Sequence, residues 1–151
     1  MRRTVRHTAR TGFDVALLSA AHWGAFLLRF EFDLPGQMVK RLVFTWPWVV
    51  ALQLSVIALV GVSRSSWRYT SLREASRLAF ALGTASGALV LARSVSIQIG
   101  PTIPQAQYAL VPLGVIIIDA MLALLFLGGA RATRRLLSER KQARLTASGA
   151  P

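Results

Sequence analysis

Within the apolar stretches of this chain, four side chains carry a capacity for hydrogen bonding or proton chemistry: His22, Gln53, Arg93 and Asp119. Hydroxyls at Ser19, Thr45, Thr84 and Ser86 accompany them. A carboxylate deep in an apolar span costs about 2.5–3.5 kcal/mol on translocon scales, so Asp119 is expected to face other protein groups, either protonated or paired. His22 is the first expected partner. Gln53 and the hydroxyls of Thr84 and Ser86 come next, and Arg93, nearer one end of its span, has the length to turn inward. The chemistry open to such a set is narrow. A carboxyl and an imidazole relay a proton or fix helix register through hydrogen bonds. A metal centre is not expected, because the chain has two histidines and no cysteine, and His7 stands apart in the basic amino-terminal segment.

The usual marks of nucleotide or hydrolytic chemistry are missing from the sequence. It contains no G-x-G-x-x-G, no phosphate loop, no H-E-x-x-H and no serine elbow. No catalytic residue and no cofactor-binding or metal-binding residue is therefore expected, and the chain itself is read as non-catalytic.

The elements that must position the polar residues follow from composition. Of the 151 residues 54% are hydrophobic, and mean hydropathy is +0.49, which suits an integral membrane protein rather than a soluble domain. The formal charge is +12, from 18 Lys and Arg against 6 Asp and Glu. These charges flank apolar runs instead of forming one patch, so they are read as membrane topology and nucleic acid is not an expected partner. Four spans are predicted, at about 13–30, 42–62, 75–99 and 108–130, between basic segments 1–12 and 131–151. An 18-residue span reaches about 27 Å at the rise of an α-helix, close to the thickness of a hydrocarbon core. The second span is the clearest, since Leu42 to Val62 contains no charge. Pro35-Gly36 marks the turn before it, within a loop read as Glu31 to Arg41. Asp119 falls at the middle of the predicted fourth span. In the third, Gly83 and Gly87 form G-x-x-x-G, a spacing that lets helices approach closely, and this face is expected to pack inside the bundle.

Topology follows from where the cations fall. Arg2, Arg3, Arg6 and Arg10 precede the first span; Arg64, Arg68, Arg73 and Arg77 lie between the second and third; Arg131, Arg134, Arg135, Arg140, Lys141 and Arg144 follow the fourth. The positive-inside rule puts all of these, and both termini, in the cytoplasm. The expected fold is thus an all-α, multi-pass membrane protein of four transmembrane helices with both termini cytoplasmic. The central segment interleaves arginine with aromatic residues, and Arg64, Trp67, Arg68, Tyr69, Ser71 and Arg73 are read as an interface motif for anionic headgroups. Ser71 and Glu74 have the S-x-x-E spacing of a capping box, which predicts a helix beginning at Leu72.

That central segment also carries a likeness. Gly61-x-x-Arg64-x-x-Trp67-Arg68-Tyr69-Thr70-Ser71-Leu72-Arg73, the R-F-x-F of Arg29, Phe30 and Phe32, Ile118-Asp119, and Leu127-Gly128-Gly129-x-Arg131 together resemble the membrane region of the polysaccharide-biosynthesis nucleotide-sugar dehydratases and epimerases. The resemblance covers about Phe13 to Arg140. It implies four membrane helices leading to a cytoplasmic Rossmann domain that binds NAD and converts UDP-linked N-acetylhexosamines for capsule, O-antigen or glycan synthesis. This sequence departs from the pattern in having Ser63 where an aromatic is usual and a Gly100–Gln107 loop without the usual Pro-Arg-Ser. It also brings no Rossmann strand or glycine loop after Arg140, so the catalytic activity and its NAD are not carried over. The expected role is a membrane anchor for nucleotide-sugar modification. Its expected partners are the bilayer, a cytoplasmic dehydratase, epimerase or glycosyltransferase, and a second copy of the chain. The alternatives are a small carrier or lipid-linked-intermediate binding protein built on Asp119 and Arg93, or a structural membrane subunit.

Overall fold

The computed structural model describes residues 2–61, 72–99 and 110–147. These residues form four helices: α1 (Arg2–Arg29), α2 (Gly36–Leu59), α3 (Leu72–Ile99) and α4 (Leu113–Ala147). Each holds a segment long and apolar enough to cross a membrane: Thr11–Arg29, Gly36–Leu59, Ala75–Ile97 and Leu113–Arg134. The all-helical, four-span reading therefore holds for the described residues. The segment around Arg64, Trp67, Arg68, Tyr69 and Ser71 lies outside them.

The helix ends differ from the expected spans for local reasons. α1 stops in a tight turn, with the Phe32 N–H donating to the Leu27 carbonyl at 2.8 Å and the Asp33 N–H to that of Phe30 at 2.9 Å. These bonds satisfy carbonyls that the helix end leaves open. The turn requires left-handed backbone at Glu31 and Phe32, with φ of 53° and 65°, where side chains cost energy. α2 opens at once after Pro35, whose carbonyl accepts the N–H groups of Met38 and Val39 at 2.7 and 3.2 Å. The loop read as Glu31 to Arg41 is thereby shortened, and Gln37, Lys40 and Arg41 become the first turns of α2. The helix continues through Pro47 and closes at Gly61, whose φ of +74° glycine adopts without a Cβ penalty.

α3 is described from Leu72 onward, and the capping residue Ser71 lies outside the described residues. α4 begins at Leu113, later than the expected 108, with Pro112 supplying the carbonyl for the Ile116 N–H at 3.1 Å. A proline there loses nothing, because the first amides of a helix have no partner within it. α4 then runs through Gly128 and Gly129 to Ala147, so most of the basic segment 131–151 is helical. At about 1.5 Å per residue its length is about 52 Å, well beyond a hydrocarbon core of about 30 Å.

The helices form a ring. α1 packs on α2 and α4, and α3 packs on the same two; among the described residues neither diagonal pair approaches closely along the backbone. Inward residues repeat every three or four positions, as at Leu18, Ala21, His22 and Ala25 of α1 and at Leu78, Ala81, Leu82, Ala85 and Leu89 of α3. Phe44, Leu59, Phe80, Leu91, Met121 and Leu125 face outward. A helix apolar on both faces is the pattern of a lipid-embedded bundle. The interior divides into two apolar clusters. One joins Leu18, Ile57, Leu78, Leu82 and Leu127; the other joins Phe26, Leu42, Val49, Leu89 and Ile116.

One packing expectation is not met. Gly83 and Gly87 face outward, and a Cβ at either position would meet nothing within 4 Å. The close approach of α3 comes instead from Ala81 and Ala85, which are fully buried. The G-x-x-x-G pair is off that face because neither glycine shares the three-to-four spacing of the inward set.

The left-handed turns give a paired prediction. Gly61→Ala is expected to destabilise the bundle by about 1 kcal/mol, and Glu31→Gly to stabilise it by a similar amount. Thermal unfolding in detergent checks both signs, and equal midpoints for the two variants would contradict the assigned backbone.

Candidate functional site

The two apolar clusters meet at a polar layer. His22 from α1, Thr45 and Gln53 from α2, and Asp119 from α4 have relative exposures of 0%, 0%, 1% and 2%. Sequence order explains the level: His22 lies between Ala21 of one cluster and Ala25 of the other, and Asp119 lies between Ile116 and Ala123. On α2, Thr45, Val49 and Gln53 follow one another at intervals of four, which places both polar groups on the inward face.

The layer is joined by hydrogen bonds. Gln53 Nε2 donates to Asp119 Oδ2, linking α2 and α4 across the ring. His22 Nδ1 stands 3.7 Å from Asp119 Oδ1. On its other side the ring meets Thr45, with Nε2 and Oγ1 at 3.1 Å. The Thr45 hydroxyl donates back to the Arg41 carbonyl at 2.8 Å. Phe26 packs edge-on against the imidazole, with centroids 5.3 Å apart and planes at 67°. Polar groups thus line up from an α2 carbonyl through imidazole and carboxyl to an amide, hydrogen-bonded except at the 3.7 Å separation of His22 from Asp119.

His22 and Gln53 are the partners that the sequence expectation gives Asp119, and the geometry brings all three together. Thr84 is elsewhere: it is exposed and bonds back to Phe80 of its own helix at 2.8 Å. Arg93 does not turn toward Asp119 either. Its Nη1 donates to the Val111 carbonyl at 3.1 Å, tying α3 to the segment that opens α4. Asp119 lies only six residues into α4, about 9 Å along the axis, so it sits toward one end of its span and not at the middle. Thr45 is the member that sequence reasoning did not single out. Its four-residue spacing to Val49 and Gln53 is the signal that finds it.

At the opposite end of α1, two contacts join the termini of the bundle. Arg131 approaches Asp14 at 4.0 Å, and the Arg134 guanidinium lies 4.1 Å from the centroid of the Phe13 ring. Phe13 and Asp14 of α1 are therefore beside Arg131 and Arg134 of α4. Near the surface, Trp46 Nε1 donates to Ser19 Oγ at 2.9 Å, and Trp23 meets Trp46 edge-on at 6.3 Å.

Among the described residues no group of three His, Cys, Asp or Glu side chains could hold a metal ion. No protein-family model, no curated protein and no solved structure matches the chain. The chemistry the layer can perform on its own is hydrogen bonding and proton holding.

Substitutions at Asp119 separate these contributions. Asp119→Asn keeps an acceptor for Gln53 and a donor for His22 and is expected to unfold near the wild-type midpoint. Asp119→Leu leaves the buried Gln53 amide without its acceptor, at about 1–3 kcal/mol in soluble proteins and less in membranes. Thermal unfolding in detergent reads the difference, and a Leu variant as stable as wild type would remove the structural role of the layer.

Proposed function

We propose that this chain is the membrane anchor of a nucleotide-sugar modification system for polysaccharide synthesis, held in a bacterial inner membrane with both termini in the cytoplasm. The observation that carries the anchor reading is how the bundle uses its polar groups. His22, Thr45, Gln53 and Asp119 lie together inside a closed interior, and Asp14 of α1 meets Arg131 of α4. Interior chemistry is directed at holding helices. The sugar-modification part rests on the likeness of the Gly61–Arg73 segment. A carrier that uses Asp119 with Arg93 is less favoured, since Arg93 is bonded to Val111 on another level of the bundle.

In-cell crosslinking followed by purification of the full chain tests this reading. A cytoplasmic dehydratase, epimerase or glycosyltransferase acting on nucleotide sugars is the expected capture. Capture of transport components alone would overturn it.

Topology is tested on the same chain, which has no cysteine of its own. A cysteine at Ser65 is expected to resist an impermeant reagent added from outside, whereas cysteines at Pro35 and Pro104 react.

Lipid contact is tested by replacing Arg64, Arg68, Arg73 and Arg77 with glutamine. Each cation near an anionic surface contributes about 1 kcal/mol, so retention of anionic lipid is expected to fall markedly. Native mass spectrometry after detergent extraction checks it.

A further inference from the structure

We propose that His22 and Asp119 form a buried binding site for one proton, shared between imidazole Nδ1 and carboxyl Oδ1. The proposal is independent of the anchor reading. It follows from counting donors around Thr45. A threonine hydroxyl has a single proton to give. The carbonyls of Arg41 and Leu42 lie 2.8 and 3.3 Å from Thr45 Oγ1, and a carbonyl accepts but never donates. With the Thr45 proton given to its own helix, the 3.1 Å contact to His22 is made by a hydrogen on Nε2.

A neutral imidazole carries one N–H. With that hydrogen on Nε2, Nδ1 presents a bare lone pair to Asp119 Oδ1 at 3.7 Å. Neither atom has a hydrogen-bond partner, and both are fully enclosed. The second carboxyl oxygen is already occupied by the Gln53 amide, so Oδ1 is the oxygen left to answer the ring. An ionised Asp119 would then set two acceptors face to face in an apolar interior, which is the costly arrangement for buried polar groups. One added proton removes the conflict. It makes either an imidazolium beside a carboxylate or an imidazole beside a carboxylic acid. In both forms the pair has no net charge, and a small rotation of the ring closes the 3.7 Å separation to a hydrogen bond.

Release of the proton is balanced by a rearrangement the site already contains. The proton passes to water, the ring keeps one N–H at Nδ1 toward the carboxylate, and the Thr45 hydroxyl turns from the Arg41 carbonyl to the bare Nε2. The pair then carries one negative charge. The other ionisable side chains on these helices include Asp14 and Arg29 on α1, Lys40 and Arg41 on α2, Arg77 and Arg93 on α3, and Arg131, Arg134 and Arg140 on α4; of these, Arg41 lies one turn before Thr45 with its Nε buried. Asp14, the other carboxylate within a span, is engaged with Arg131.

The test is nuclear magnetic resonance of the full chain in lipid nanodiscs near neutral pH, with ¹⁵N-labelled histidine and ¹³C-labelled aspartate. His7→Gln leaves His22 as the single histidine, and Asp119→Asn assigns the carboxyl signal by its loss. The expected result is a protonated Nε2 together with one further proton, seen either as a protonated Nδ1 or as a protonated Asp119 carboxyl. A pyridine-type Nε2 would overturn the proposal. So would a protonated Nε2 beside an unprotonated Nδ1 and an ionised carboxylate. The wild-type spectrum decides the matter even if a substituted chain fails to fold.

Discussion

The constraint that governs this structure is the need of one carboxyl, Asp119, for partners in an apolar interior. A lone charge there is expensive, and burial removes water as an answer. Gln53 and His22 supply the answer from two other helices, and Thr45 extends it to the backbone of α2. Three of the four helices are therefore positioned by one hydrogen-bonded layer. α3 packs through Ala81 and Ala85, and Arg93 bonds the Val111 carbonyl at its end.

This division of labour fits the physics of helix association in lipid. Apolar side chains gain little by leaving hydrocarbon for a bundle interior, so packing and polar contacts decide which faces meet. The two apolar clusters on either side of the layer fill space and set distance, but leucine against leucine tolerates sliding. A carboxyl that must meet an amide and an imidazole does not. Register is thus set where the polar groups are, and the clusters follow from it.

The same physics explains what could be read from the sequence. Four spans were legible because charge is absent from Leu42–Val62 and Leu78–Ala92 and dense between them. The association of Asp119 with His22 and Gln53 was legible because few polar groups were available to satisfy it. The inward face of α3 was not: Phe80 and Leu91 look outward to hydrocarbon while Leu82 and Leu89 look inward, and apolar periodicity cannot separate the two when the surroundings are as apolar as the core. The glycine pair was misplaced for that reason. Helix starts were missed where a proline carbonyl opened the helix early at Gly36 or late at Leu113, since spans were bounded by charge and not by capping.

The pairing of α1 with α4 has a consequence for biogenesis. α1 is completed by α4, so His22 must wait for Asp119 to be synthesised. At roughly 5–20 residues per second, that interval is on the order of ten seconds. Throughout it α1 can dock on α2, with Thr45 covering one side of the imidazole, while the other side stays open. The ring closes when the final span arrives, so a ribosome stalled before α4 leaves a three-helix intermediate with an unanswered histidine, a natural target for membrane quality control.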